Sequence, residues 1–235
     1  MKKSIILLLL ILPLTAFSQE IFSTLINQNY EQLAILAKAE KNLKVTDKND
    51  MTPILKAASL NDFKALKILV ENGADVTDKT KSGWTPLMIV CQVGDVEMAS
   101  YLISKNSNID AKGEHEWNPI IIASRNGKTD IVELLIKKGA NVNSKALDNT
   151  TPLIISSFKG HVKIVKLLLE NGANTEVVTR DKETALFLAA QYGYEEEVKL
   201  LLQFHADKNF TSKNGLSVCQ AAKNNGHSDI CNLLQ

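Results

Sequence analysis

Asn118-Pro119-Ile120-Ile121-Ile122-Ala123-Ser124-Arg125-Asn126-Gly127 opens the stretch that decides the fold, and Ile131-Val132-Glu133-Leu134-Leu135 followed by Lys138-Gly139-Ala140-Asn141-Val142 completes it. It reads as a helix start, a short apolar helix, a turn glycine, a second apolar helix and a closing Gly-Ala. Asn118 suits the cap because its side chain accepts from a free backbone amide, and Pro119 fits the first helical turn, where no amide is needed. The second helix carries its apolar residues on one stripe.

The same pattern recurs on both sides. Its two-residue opening stands at Thr52-Pro53, Thr85-Pro86, Asn118-Pro119, Thr151-Pro152, Thr184-Ala185 and Ser217-Val218, each 33 residues after the one before. A constant period of this size marks a stacked array, because one helix pair cannot bury its apolar face alone. Small pairs such as Ala57-Ala58, Ala123-Ser124, Ser156-Ser157 and Ala189-Ala190 close the first helices and let neighbours approach. Gly94, Gly127, Gly160, Gly193 and Gly226 share one turn position, with Asn61 as its first occupant. The second helices end on Gly-Ala, replaced by Asn106-Ser107 and His205-Ala206 in two copies. Asn and His tolerate the left-handed backbone that such ends require. Polar connectors of about ten residues, too short for alternating strands, fit fingers with a tight tip.

Thr151-Pro152-Leu153, Gly160-His161, Ile164-Val165, Leu167-Leu168 and Asn171-Gly172-Ala173 resemble the ankyrin repeat residue by residue. The resemblance, to a bacterial secreted ankyrin-repeat protein, implies an all-α repeat solenoid of stacked helix-turn-helix units with short β-hairpin-like fingers. Repeats are expected at about 48–78, 81–111, 114–144, 147–177, 180–210 and 213–235, the last truncated, behind a capping helix pair at 19–47. The chain departs from the family two residues after the proline. A histidine that ties neighbouring fingers is common there, and this chain has Leu55, Met88, Ile121, Ile154, Phe187 and Gln220. Finger ties are therefore expected to rest more on packing. His161 and His227, at one repeat position, resemble the family's structural histidine.

The first 18 residues read as a secretory signal: Lys2 and Lys3, an apolar run at 5–12, Pro13, then Ala16-Phe17-Ser18 before a cleavage expected at Gln19. The run falls short of the ~20 residues a membrane span needs. The leader looks bacterial, so the expected location is the periplasm or the exterior; a retained leader acting as a tether is the alternative. The compartment would be oxidising. Of the three cysteines, Cys91, Cys219 and Cys231, all are read as small core residues, with a Cys219–Cys231 bridge left open.

Net charge is +1 over 235 residues, and −1 once Lys2 and Lys3 are removed. That is not the basic footprint of a nucleic-acid binder, so no nucleic-acid partner is expected. His115, His161, His205 and His227 do not fall at metal-ligand spacing, so no metal and no cofactor is expected. No nucleophile elbow or phosphate loop appears; Gly127-Lys128-Thr129 lacks the earlier glycine such a loop needs. Glu195-Glu196-Glu197 reads as a solvated helix start that complements the helix dipole. No enzyme is expected.

In ankyrin proteins partners bind the concave side, built from fingers and first helices. The residues mapped there are Met51, Trp84 and Trp117 before the capping residue, and Arg125, Phe158 and Tyr192 after the small pairs. Trp, Tyr and Arg dominate binding hot spots. The competing reading is that each Trp covers the base of its own finger. The expected function is a monomeric, non-catalytic scaffold for a protein partner, either an envelope assembly factor or an immunity-type inhibitor of an enzyme.

Overall fold

The computed structural model describes residues 14–39 and 43–235, so the lysines and apolar run of the leader lie outside the described residues. The chain divides after Asn108 into two compact units. The first holds α1 (Leu14–Ile26), α2 (Tyr30–Ala39), α3 (Pro53–Ser59), α4 (Phe63–Glu71), α5 (Pro86–Val93) and α6 (Val96–Ser104). The second holds α7 (Pro119–Arg125), α8 (Thr129–Lys137), α9 (Pro152–Lys159), α10 (Val162–Glu170), α11 (Ala185–Gln191), α12 (Glu195–Gln203), α13 (Val218–Asn224) and α14 (Ile230–Leu233). A 3-10 turn, Glu114–Glu116, precedes α7.

Each helix of the second unit pairs with its hairpin partner and with the equivalent helix one repeat away. In the second unit α7, α9, α11 and α13 form one row, and α8, α10, α12 and α14 form the other. Helices in the first row are apolar nearly all round, since they have neighbours on three sides. Residues 119–124, 152–157 and 185–190 are all buried. Ser124, Ser156 and Ser157 are fully buried among them. The Ser156 hydroxyl is satisfied locally, donating to the Pro152 carbonyl at 2.8 Å. Such small side chains are what close helix approach requires.

Capping follows the expected chemistry. Thr85, Asn118, Thr151, Thr184 and Ser217 each accept from the amide three residues on. Gln220 completes a reciprocal box by accepting from the Ser217 amide at 2.8 Å. Thr52 is the exception and makes no cap bond. The helix ends at Asn106 and His205 adopt the left-handed conformation, with φ of 66° and 62°.

The fingers are short hairpin-like turns without extended strands. Among the described residues the only bridge pairs Thr211 with Ser217. Each finger closes on a backbone bond at a constant repeat position, from the amide of Asp47, Thr80, Gly113, Ala146, Thr179 and Ser212 to the carbonyl four residues on, and each of these residues also accepts from the amide three residues on. Finger-to-finger ties were expected from packing, but within the second unit they are hydrogen bonds. The Leu147 amide donates to the His115 carbonyl at 2.8 Å, and the Arg180 amide to the Asp148 carbonyl at 3.0 Å. Backbone groups need no particular side chain, so the missing family histidine leaves no deficit.

Repeats are also locked at the opposite end. A Cβ added to Gly127 would lie 2.9 Å from the His161 ring, one on Gly160 would lie 2.8 Å from the Tyr194 ring, and one on Gly193 would lie 2.5 Å from the His227 ring. These three turn glycines each seat a ring from the following repeat. Asp62 and Asp95 hold the ring position in the first unit and cap their own helices instead.

At the chain end Cys219 and Cys231 form a disulfide that joins α13 to the four-residue α14. This corrects the reading of all three cysteines as core residues. Only Cys91 is free and buried, whereas Cys219 and Cys231 are half-buried on facing helices.

Gly193→Ala and Gly139→Ala separate the two demands on a turn glycine. Both positions have positive φ, but nothing lies within 4 Å of a Cβ at Gly139. Gly139→Ala should cost about 1 kcal/mol in urea unfolding, the left-handed penalty alone. Gly193→Ala should cost about 2 kcal/mol more because the ring must move. Equal losses would show that the ring contact is not needed.

Candidate protein-binding face

Met51 and Trp84 lie in the first unit, both half-buried just ahead of a first helix. Trp84 is held through its backbone, whose amide also meets the Thr80 hydroxyl at 3.1 Å. The same unit exposes Ile26, Leu60 and Val93, at 63%, 44% and 38%. Leu60 and Val93 share the repeat position of Tyr192, which the sequence maps to the concave side.

The second unit brings the other four expected residues together. Trp117 is half-buried and packs against a core of Ile121, Ala146 and Ile155. The Arg125 guanidinium lies over the Trp117 ring, 4.9 Å from its centre. Phe158 packs on the same three-residue core. The Phe158 ring meets Tyr192 edge to face at 5.1 Å, and Tyr192 stacks on Tyr194 at 6.2 Å. The result is a strip of aromatic surface from Trp117 to Tyr192, flanked by Arg125 and by Lys159, whose ammonium sits over Phe158. Trp117 thus covers the base of its finger, and Arg125 lies over its ring.

The strip is stiff because the repeat locks hold it. Arg125 is the last residue of α7, and its carbonyl oxygen lies 3.2 Å from His161 Nε2. A carbonyl only accepts, so this nitrogen carries the ring hydrogen. Tyr194 is seated on Gly160 and in turn backs Tyr192. Cation–π and edge-to-face contacts of this kind are each worth about 1 kcal/mol. That is enough to bias side-chain orientation but not to fold the chain. The finger beside the strip ends in Leu147, which is 50% exposed.

No cluster of three metal-ligating side chains occurs among the described residues. No described helix is long and apolar enough to cross a membrane. Helix α1 runs through the expected cleavage point before Gln19, with Phe17 buried in it.

The acidic run needs correction. Glu195 and Glu196 are exposed at the start of α12, as expected, and Glu195 pairs with Lys199 one turn on. Glu197 is 1% exposed and neither carboxylate oxygen has a hydrogen-bond partner. It occupies the position of Ile131, Ile164 and Ile230, in the buried stripe. Burial, with Glu196 adding its charge, pushes its carboxyl up to about 8. A helix-start pattern masked a residue that register places in the core.

Comparison with known families identifies the repeats. The family model described as Ankyrin repeats (3 copies) matches residues 19–113, 107–181 and 172–235. The chain belongs to the ankyrin-repeat family. No individual curated protein matches it. Ankyrin repeats are interaction modules that generally mediate protein–protein contacts and are typically non-catalytic. The aromatic strip lies on the first helices, in keeping with such a role.

Glu197 makes stability depend on pH. Its folded-state pKa lies above the unfolded one, so the folded chain holds the extra proton. The stability tied to that proton is complete below about 4.5 and is lost as pH rises to about 8. The loss should approach ~1.4 kcal/mol per pH unit within that window. Glu197→Ile should flatten this slope and raise the urea midpoint at pH 8; an unchanged slope would show that Glu197 does not titrate in the fold.

Proposed function

We propose that this ankyrin-repeat protein is an exported, non-catalytic bacterial scaffold. It binds a protein partner through the Trp117–Arg125–Phe158–Tyr192 strip. The observation that carries the reading is the strip itself. Four aromatic or cationic side chains from three successive repeats are gathered on one row of helices and held by their neighbours. Such residues on a rigid support bind with little ordering cost. Met51 and Trp84 would be the binding residues of the first unit. The partner makes the scaffold either an envelope assembly factor or an inhibitor that protects against an enzyme.

Two features support export. The first is the leader pattern. The second is the Cys219–Cys231 disulfide, which persists in oxidising compartments and not in a reducing cytosol. Buried Phe17 favours a second reading, in which the leader is retained and tethers the protein to the membrane.

Two measurements test this. Affinity capture from native envelope extract should lose its partner with Trp117→Ala plus Phe158→Ala, while the helical circular-dichroism signal stays near wild type. Recovery of the same partner by the double variant would place binding elsewhere. For the compartment, protein purified from its native host should begin at Gln19. It should titrate as one thiol, Cys91, once denatured without reductant. Three thiols would remove the argument for an oxidising compartment, and a start at Met1 would favour the tether.

A further inference from the structure

The two repeat positions that make the strip change chemistry in a fixed order along the second unit. The position before the cap and the position after the small pair are Trp117 and Arg125 in one repeat, Thr150 and Phe158 in the next, then Glu183 and Gln191, then Leu216 and Asn224. The face therefore runs from cationic and aromatic, through apolar, to anionic. Arg125 is exposed and has no ion pair; its guanidinium rests only on the Trp117 ring. At the other end a cavity of about 400 Å³ is lined by Asp181, Glu183, Gln191, Asn224 and Asn225 over a floor of Phe187. Neither Asp181 nor Glu183 has an ion pair, although Lys213 also lines the cavity. Burial, with the charge of neighbouring Asp181 adding to it, raises the Glu183 carboxyl. The Ser212 hydroxyl oxygen, also in the lining, is shut off from solvent and has no hydrogen-bond partner.

We propose that this face binds an extended partner segment of fixed polarity. An acidic side chain of the segment sits on Arg125, an apolar side chain on Phe158, and a lysine or arginine enters the Asp181–Glu183 cavity. The assignment rests on the strip being the binding face and adds what the segment must carry. Guanidinium and carboxylate match as a planar fork, and stacking on Trp117 presents that fork edge-on. The cavity offers carboxylates, amide oxygens and the Ser212 oxygen to a cationic head, with Phe187 below for its methylene stem. Arg125 and Glu183 lie two repeats apart, about 20 Å at one helix diameter per repeat. An extended chain covers that distance in about six residues. A segment with its charges exchanged would place like charges together at both ends, which gives discrimination as well as affinity.

The test is a random linear-peptide phage library selected on the full chain in its oxidised form. Enriched peptides should carry an acid and a base about six residues apart. Arg125→Glu and Glu183→Lys should each weaken them at least ten-fold. A peptide with its acid replaced by lysine should regain binding to the Arg125→Glu protein. Enriched peptides without the charge pair overturn the polarity. So does full binding to both charge variants combined with loss on Phe158→Ala, a result that leaves the strip as the binding face. Peptides indifferent to Trp117→Ala and Phe158→Ala as well, or a library that enriches nothing, overturn both the polarity and the strip.

Discussion

In three successive repeats of the second unit a ring seats on the bare backbone of the repeat before it, and much else follows from that contact. Gly127, Gly160 and Gly193 lack the Cβ that would collide with His161, Tyr194 and His227. The contact fixes how far one helix pair is shifted and rotated against the next. The seats also do local work: His161 holds the carbonyl of Arg125, and Tyr194 backs Tyr192. Side chains near the ends of three first helices are thus aligned by the turn that follows each helix. The finger side adds its own backbone bonds, so the second unit's repeats are tied at both ends.

The contact also explains where the repeats tolerate change. The ties at Leu147 and Arg180 use only backbone groups, and the residue two after the proline varies from Ile121 to Gln220. At the seat the ring is imidazole in His161 and His227 and phenol in Tyr194, while earlier repeats place Asp62, Asp95 and Lys128 there. Helix ends accept Asn106 and His205 because those positions demand left-handed backbone but not empty space. The demand at a position, and not its similarity to the repeat, decides what can replace the common residue.

The period, the caps and the turn conformations were legible in the sequence because each depends on residues close together in the chain. So was the gathering of Trp117, Arg125, Phe158 and Tyr192, since a constant period converts repeat position into spatial neighbourhood. What could not be read depends on direction or depth. The Cys219–Cys231 pair needed the relative orientation of α13 and the short α14. Ile26 is exposed on α1, where no repeat register marks which face is outward. Glu197 was legible in principle. Set against Ile131, Ile164 and Ile230 it stands out, but two exposed acids beside it imitated a common helix start.

Departures from the repeat therefore sort into kinds by what surrounds them. Glu197 replaces a core residue and is left without a partner, so it lowers stability and contributes nothing to the surface. Trp117, Phe158 and Glu183 also vary between repeats, but at positions where the fold asks only for a residue that covers the finger base. Half of each such side chain meets a structural need and the other half faces outward. Chemistry is free to change there from repeat to repeat without disturbing the stack. An array built this way separates its two tasks along the same helix. The inward residues must agree with their counterparts one period away, and the outward ones are informative because they do not.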